Sequence, residues 1–127
     1  MSNFIVFEGI DGSGKSSVLN FFKNKYNDVI ITKEPSTSDV GKMVKRTARE
    51  NTSPYYDLFL YVADRVEHIE RIEKWLKEKT VICDRYWGST AAYQAASEVI
   101  DLDYIENLHQ PFMLIPNITV LFDLEPK

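Results

Sequence analysis

The chain has 127 residues, 44% hydrophobic and 27% charged, a balance that fits one globular α/β domain and excludes disordered and fibrous classes. A net charge of −4 argues against a nucleic-acid surface, which needs clustered Lys and Arg, so any phosphate recognition must be local. No run approaches the ~18 apolar residues of a membrane helix, and no basic stretch leads into an apolar one at the amino terminus. A soluble cytoplasmic protein with no membrane or nucleic-acid partner is expected.

In chain order, the apolar residues 4–7 read as a strand running straight into Gly9-Ile10-Asp11-Gly12-Ser13-Gly14-Lys15-Ser16, which satisfies the phosphate-loop spacing G-x-x-x-x-G-K-[ST]. A strand that ends in a glycine-rich turn and reopens as a helix, here over 17–26, leaves unpartnered N–H groups converging on an anion. Polyphosphate is the expected anion. Gly9, Gly12 and Gly14 allow close approach of the main chain, Ser13 and Ser17 lie within the same cradle, Lys15 would reach the β/γ oxygens and Ser16 would offer a hydroxyl to Mg²⁺. An ordinary glycine-rich turn is the alternative.

Further apolar runs fall at 29–31, 81–83 and 118–122, separated by longer helical stretches. Strands alternating with helices predict a phosphate-loop-type parallel sheet of about four strands with helices on both faces, in a single domain over 1–127. The central helical stretch begins at Ser53-Pro54, a capping residue before a proline suited to the first helical position, and is expected to break near Asp64. Beyond it Ile69, Ile72 and Leu76 form an apolar stripe beside Glu67/Arg71, Glu70/Lys74 and Glu73/Lys77 at i,i+4. His68 lies among these charges and His109 precedes Pro111; with no second ligand at metal spacing, both are expected at the surface. The lone Cys83 excludes an intrachain disulfide and suits a buried small apolar position.

The phosphate loop alone does not choose among ATPases, GTP switches and kinases. A guanine-reading Asn-Lys-x-Asp is not found; Asn24-Lys25-Tyr26-Asn27 lacks the Asp and falls in the first helix. Residues 81–83 end in Asp84, the placement that holds Mg²⁺ or its waters beside Ser16, and Arg85 follows as a candidate clamp for an acceptor phosphate. A plain Asp-Arg surface pair is the alternative.

Four segments in order now resemble the thymidylate kinase family: Phe7-Glu8-Gly9 through Lys15-Ser16; Thr32-Lys33-Glu34-Pro35 with Gly41 beyond; Tyr61-Val62-Ala63-Asp64-Arg65; and Asp84-Arg85-Tyr86 through Ser89-Thr90 to Tyr93-Gln94. A fifth, Pro116-Asn117 through Asp123-Leu124-Glu125-Pro126, is similar to the family's fourth strand and its exit. The resemblance implies transfer of the γ-phosphoryl of ATP to dTMP with Mg²⁺, in a homodimer packed through helices.

Position by position, it implies that Asp11 holds the deoxyribose 3′-hydroxyl, that Tyr61, where the family usually has Phe, stacks on thymine, and that Arg65 one turn on bonds a base carbonyl. Thr90 and Gln94 resemble readers of the thymine edge, and Tyr93 the ring that crowds the sugar 2′ position. Glu34 resembles an acid near the magnesium and acceptor phosphate. Lys45 stands where an arginine often contacts the acceptor, and cannot reproduce that bidentate fork. Tyr61 and Tyr93 as packing residues, Arg65 as a surface cation and Asp11 as a turn-former are the alternatives.

Family members continue past the position of Lys127 into an arginine-rich lid and a further strand and helix. With no arginine in residues 10–13, the resemblance implies that the catalytic arginine lies in that lid, so the 127 residues are expected to be a fragment and nearly inactive alone. A related nucleotide or nucleoside kinase with another acceptor and a non-catalytic nucleotide-binding module are the remaining readings.

Overall fold

A computed structural model describes residues 2–10, 12–50 and 52–123. Four strands, β1 (Phe4–Gly9), β2 (Val29–Lys33), β3 (Thr80–Asp84) and β4 (Ile118–Phe122), form one sheet in the order β2-β3-β1-β4, and every pairing is parallel. The expected sheet is therefore found. Between the strands lie α1 (Lys15–Lys25), α2 (Asp39–Thr47), α3 (Pro54–Trp75), α4 (Trp87–Ala96) and α5 (Leu102–His109).

The crossover from β1 to β2 runs along the sheet in one direction, and those from β2 to β3 and from β3 to β4 run in the other. Right-handed crossovers must then place α1 on one face and the later helices on the opposite face. Side-chain packing follows that rule. Phe7 and Ile82 meet Leu19, Val18 and Phe22 of α1, whereas Phe4, Val6, Val81 and Cys83 meet Ile69 and Ile72 of α3. Because alternate residues of β1 and β3 are buried on opposite faces, these strands read as unbroken apolar runs. A third cluster joins Leu58 and Val62 of α3 to Ala91 of α4 and Ile105 of α5.

Capping fixes where the helices start. Ser38 accepts from the Gly41 amide at 3.1 Å, and Ser53 and Asp101 each accept from an amide two residues on. The break expected near Asp64 does not occur. α3 runs unbroken from Pro54 to Trp75, because Asp64 is buried and its carboxylate accepts from the Ser36 amide at 2.7 Å, the Ser36 hydroxyl at 2.5 Å and the Ser38 hydroxyl at 2.9 Å. An Asp whose acceptors are satisfied by another segment no longer competes for its own helix backbone.

Candidate active site

The strand order reverses between β1 and β3, the place in an open parallel sheet where a crevice forms beyond the carboxyl ends. Register aligns those ends: Phe7 lies opposite Asp84, and Asp84 opposite Lys33.

From Gly9 the chain turns into α1 through Gly12 (φ 83°) and Gly14 (φ 89°), backbone states that side-chain-bearing residues rarely adopt. Gly14 caps α1 without a side-chain hydrogen bond, and the first turn contains no acidic residue, so the positive end of the helix is left for an anion from outside. Gly12, Gly14, Lys15, Ser16 and Ser17 border a cavity of about 290 Å³. Lys15 is only 4% exposed; its ammonium donates to the Gly9 carbonyl at 2.9 Å and lies 2.7 Å from Asp84 Oδ1. The buried Ser13 hydroxyl has no partner among the described residues. Asp11 lies outside the described residues.

Ser16 and Asp84 border a second cavity of about 620 Å³ together with Lys33 and Thr37. A hydroxyl and a carboxylate are the hard oxygen donors that Mg²⁺ takes, so the pair fits that ion once Lys15 is drawn away. A buried cluster of Glu34, His68 and Cys83 does not fit a cation. Both Glu34 oxygens are engaged, His68 is bonded on both ring nitrogens, and burial pushes the Cys83 thiol well up while its S–H donates to the Arg85 carbonyl at 3.0 Å.

Arg85 follows Asp84 with φ 69°, and its amide donates to the Phe7 carbonyl at 2.8 Å. A non-glycine residue held in that conformation marks a site where the surroundings impose the turn. Arg85 borders two further cavities. The smaller, about 30 Å³, is lined by Glu34, Tyr61, Arg65, Thr90 and Tyr93. Tyr93 is 60% exposed. The larger, about 690 Å³, lies between α4 and strands β1 and β4: Arg85, Ser89, Ala92 and Tyr93 line it with Glu8, Gly9, Ile10, Thr119 and Leu121.

Arg65 is 1% exposed and not a surface cation. Its Nε donates to Glu34 Oε1 at 2.7 Å, one terminal nitrogen meets His109 Nε2 at 2.8 Å, and the other donates to Thr90 Oγ1 at 2.8 Å. Glu34 Oε2 lies 2.8 Å from His68 Nδ1, and His68 Nε2 lies 2.6 Å from Thr32 Oγ1.

The expected surface positions of His68 and His109 are therefore corrected. They are 0% and 2% exposed, because each completes the hydrogen bonding of a charge carried into the core. The signal was present in spacing: residues 58, 61, 62, 65, 68, 69 and 72 make one stripe of α3, and Arg65 and His68 lie on it with Ile69 and Ile72.

Among the described residues, the sequence-predicted residues thus gather as two groups, the candidate cradle of Gly12, Gly14, Lys15, Ser16 and Ser17 and the candidate acceptor ring of Glu34, Tyr61, Arg65, Arg85, Thr90 and Tyr93. Gln94 is buried on α4 one turn beyond Thr90 but does not border the ring, and neither does Lys45. Lys45 is exposed, and the charge of Lys33 lowers its pKa. Sequence reasoning missed Glu8. Its carboxylate accepts from the Ser89 hydroxyl at 2.6 Å and from the Ser89 and Tyr86 amides, tying the start of α4 to β1, while burial raises its pKa despite those bonds.

Comparison with known proteins gives one reading. The family model for thymidylate kinase matches residues 7–127. A thymidylate kinase of Wolbachia pipientis is 40% identical over 132 residues, covering 96% of this chain and 64% of that protein. A probable thymidylate kinase of Methanococcus aeolicus is 38% identical, covering 98% and 62%. The crystal structure of thymidylate kinase from Ehrlichia chaffeensis superposes with a TM-score of 0.83 at 33% identity, covering 98% of this chain and 77% of that one. The chain therefore spans less than two thirds of the length of the curated relatives it matches.

Proposed function

Since this chain belongs to the thymidylate kinase family, we propose that it serves the in-line transfer of the γ-phosphoryl of ATP to dTMP, giving dTDP. The observation that carries the reading is the shared crevice. Lys15, first residue of α1, and Asp84, at the end of β3, meet at 2.7 Å, and Arg85, next in the chain, borders a cavity that Gly9 and Ile10 also line.

Phosphoryl transfer needs no covalent enzyme intermediate; it needs two anions held in line and charge neutralised on the moving group. Polyphosphate entering the cradle takes the α1 amides and draws the Lys15 ammonium from Asp84 toward the β/γ oxygens. That exchange frees the Asp84 carboxylate to hold Mg²⁺ with the Ser16 hydroxyl. Held there, Mg²⁺ would supply positive charge to offset the negative charge of the phosphates. Arg85 clamps the acceptor phosphate bidentately. Tyr61 stacks on the base, Arg65 and Thr90 read its edge, Gln94 joining them only if its buried side chain turns toward the ring, and Tyr93 crowds the 2′ position. Asp11 holds the 3′-hydroxyl. Glu34, with both oxygens bonded, acts by fixing Arg65. Lys45 adds long-range charge for the acceptor.

A second copy of the chain is the proposed partner, docked on the outer face of α3, where Tyr55, Tyr56 and Phe59 are 43%, 46% and 47% exposed. Among the described residues no helix is long and apolar enough to cross a membrane, and a cytoplasmic location is proposed.

Turnover of dTMP, dUMP, dGMP and dCMP with Mg·ATP by the full-length protein tests the reading. A clear preference for dTMP is expected, and Arg85→Ala should weaken dTMP while leaving ATP affinity in place. Transfer with no preference for dTMP, or an unchanged dTMP affinity in the Arg85 variant, would reject it.

A further inference from the structure

His109 is the last residue of α5 and is buried, yet it borders neither the cradle nor the acceptor ring. Its two nitrogens have opposite partners. Nδ1 lies 2.8 Å from the Ile105 carbonyl, which can only accept, so Nδ1 carries the proton. Nε2 then presents a lone pair, and a terminal nitrogen of Arg65 donates to it at 2.8 Å. With Glu34 on Nε and Thr90 on the other terminal nitrogen, all three guanidinium nitrogens are held, each by a different segment. The guanidinium also lies over the Tyr86 ring at 5.5 Å. Trp87 and Phe112, with ring centroids 6.1 Å and 5.5 Å away, hold the imidazole in turn.

We infer that neutral His109 is a positioning residue: its Nε2 sets the plane of Arg65 toward the acceptor pocket, and protonation of that nitrogen releases Arg65 and weakens nucleoside binding. The inference rests on the proposed role of Arg65 at the base. Three contacts from three segments define a plane; with two, the guanidinium can rock about the remaining pair. An imidazolium would point an N–H at another N–H and bring two buried cations together, which the site tolerates only by turning Arg65 away.

The charged groups around the ring act in opposite directions, and burial tips the balance. Arg65 on α3 opposes a second positive charge, and Glu34 beyond β2 favours it at longer range. Glu106 on α5 lines the same cavity as His109, and the facing residues of α4, Trp87 and Thr90, do not titrate. Burial, with Arg65, lowers the His109 pKa below its ordinary value, against the Ile105 carbonyl and Glu34.

The test compares the protein with His109→Gln, whose amide oxygen can accept from Arg65 at any pH, and with His109→Leu, which cannot accept. Calorimetry follows dTMP and Mg·ATP binding from pH 5 to 8, and NMR of the ligand-free protein follows the Arg65 Nε–H resonance and the His109 ring. The dTMP phosphate titrates near pH ~6 in every variant, so only differences between variants count. Expected are dTMP binding about tenfold or more weaker in the Leu variant with ATP unchanged, near-native affinity in the Gln variant, and an acid loss of affinity larger in wild type than in Gln. The Arg65 resonance should move as His109 titrates in wild type and stay still in Gln. A Leu variant that binds dTMP like wild type, or a Gln variant with the full wild-type acid loss, overturns the inference; so does an Arg65 resonance indifferent to His109. If wild type binds no dTMP at all, the functional reading fails, while the ligand-free NMR still decides whether His109 orients Arg65. Should the Leu variant not fold, the Gln comparison decides.

Discussion

Replacing Arg65 by Met keeps most of the side-chain volume and removes the charge. Arg65 and Glu34 have side chains 1% and 3% exposed and meet at 2.7 Å, so the carboxylate that remains has no water to fall back on. Removing one partner of such a pair costs about 3–5 kcal/mol, since the stranded ion retains its desolvation penalty without its Coulombic partner. A chain of this length has a total stability of roughly 6–19 kcal/mol at ~0.05–0.15 per residue, so the change takes a large share of it. With an m-value near ~2 kcal/mol/M, the urea midpoint should fall by about 1.5–2.5 M. The double variant Arg65→Met/Glu34→Gln strands no charge and should recover at least half the loss, which ties the effect to charge rather than to packing. Urea unfolding followed by far-UV circular dichroism measures both. A single variant that loses under about 1 kcal/mol, or a double variant no better than the single, would refute the reasoning.

Lys15→Ala should abolish ATP binding and also destabilise the fold by ~1–3 kcal/mol, since the Gly9 carbonyl and Asp84 both lose their cation; native ATP affinity by calorimetry would contradict the assignment. Tyr93→Ala, at a position 60% exposed, should change stability by less than about 0.5 kcal/mol while narrowing the preference for 2′-deoxy over ribo acceptors. Equal discrimination before and after would remove the steric role. Gly41→Ala should destabilise by about 1–3 kcal/mol or more, because its Cβ would overlap the Ser36 carbonyl and push Ser36 off Asp64; an unchanged melting temperature would count against that packing. Acid should weaken the fold through His109. Its native pKa lies below the ordinary 6.5, so the unfolded chain binds more protons just under that value and stability falls as pH drops from 6.5 toward the native pKa. His109→Gln should flatten that slope in thermal melts taken between pH 7 and 5, and an identical slope would exclude His109 as its source.

What was legible in the sequence was local. Gly12 and Gly14 announce a backbone conformation, and the apolar runs announce strands covered on both sides, because each signal lies within a few residues of the structure it specifies. His68 and His109 were misread because their partners are distant in sequence: 34 residues separate His68 from Glu34, and 44 separate His109 from Arg65. Among Glu67, Glu70 and Arg71, His68 reads as one more surface polar residue unless the stripe is followed inward. Asp64 was misread for the same reason. Its helix-breaking tendency is local, whereas the Ser36 and Ser38 hydroxyls that cancel it come from another segment.

The geometry of the candidate site depends on a quantity that no local signal carries, the register of β3 against β1. Pairing Phe7 with Asp84 puts Ile82 on the face covered by α1 and Cys83 on the face covered by α3. Side chains alternate with period two, so Asp84 falls on the α1 face, where Lys15, first residue of α1, reaches it at 2.7 Å. A slip of one residue would turn the Asp84 carboxylate toward α3 and bring the Cys83 thiol to Lys15, exchanging a hard oxygen donor for a thiol suited to softer metals. Burial resists that slip, since it would also carry Val81 and Cys83, both 0% exposed, off the α3 core. The packing of Val81, Cys83, Ile69 and Ile72 therefore sets which side of the sheet the Asp84 carboxylate faces. A core substitution that loosens β3 should degrade nucleotide binding before it unfolds the chain.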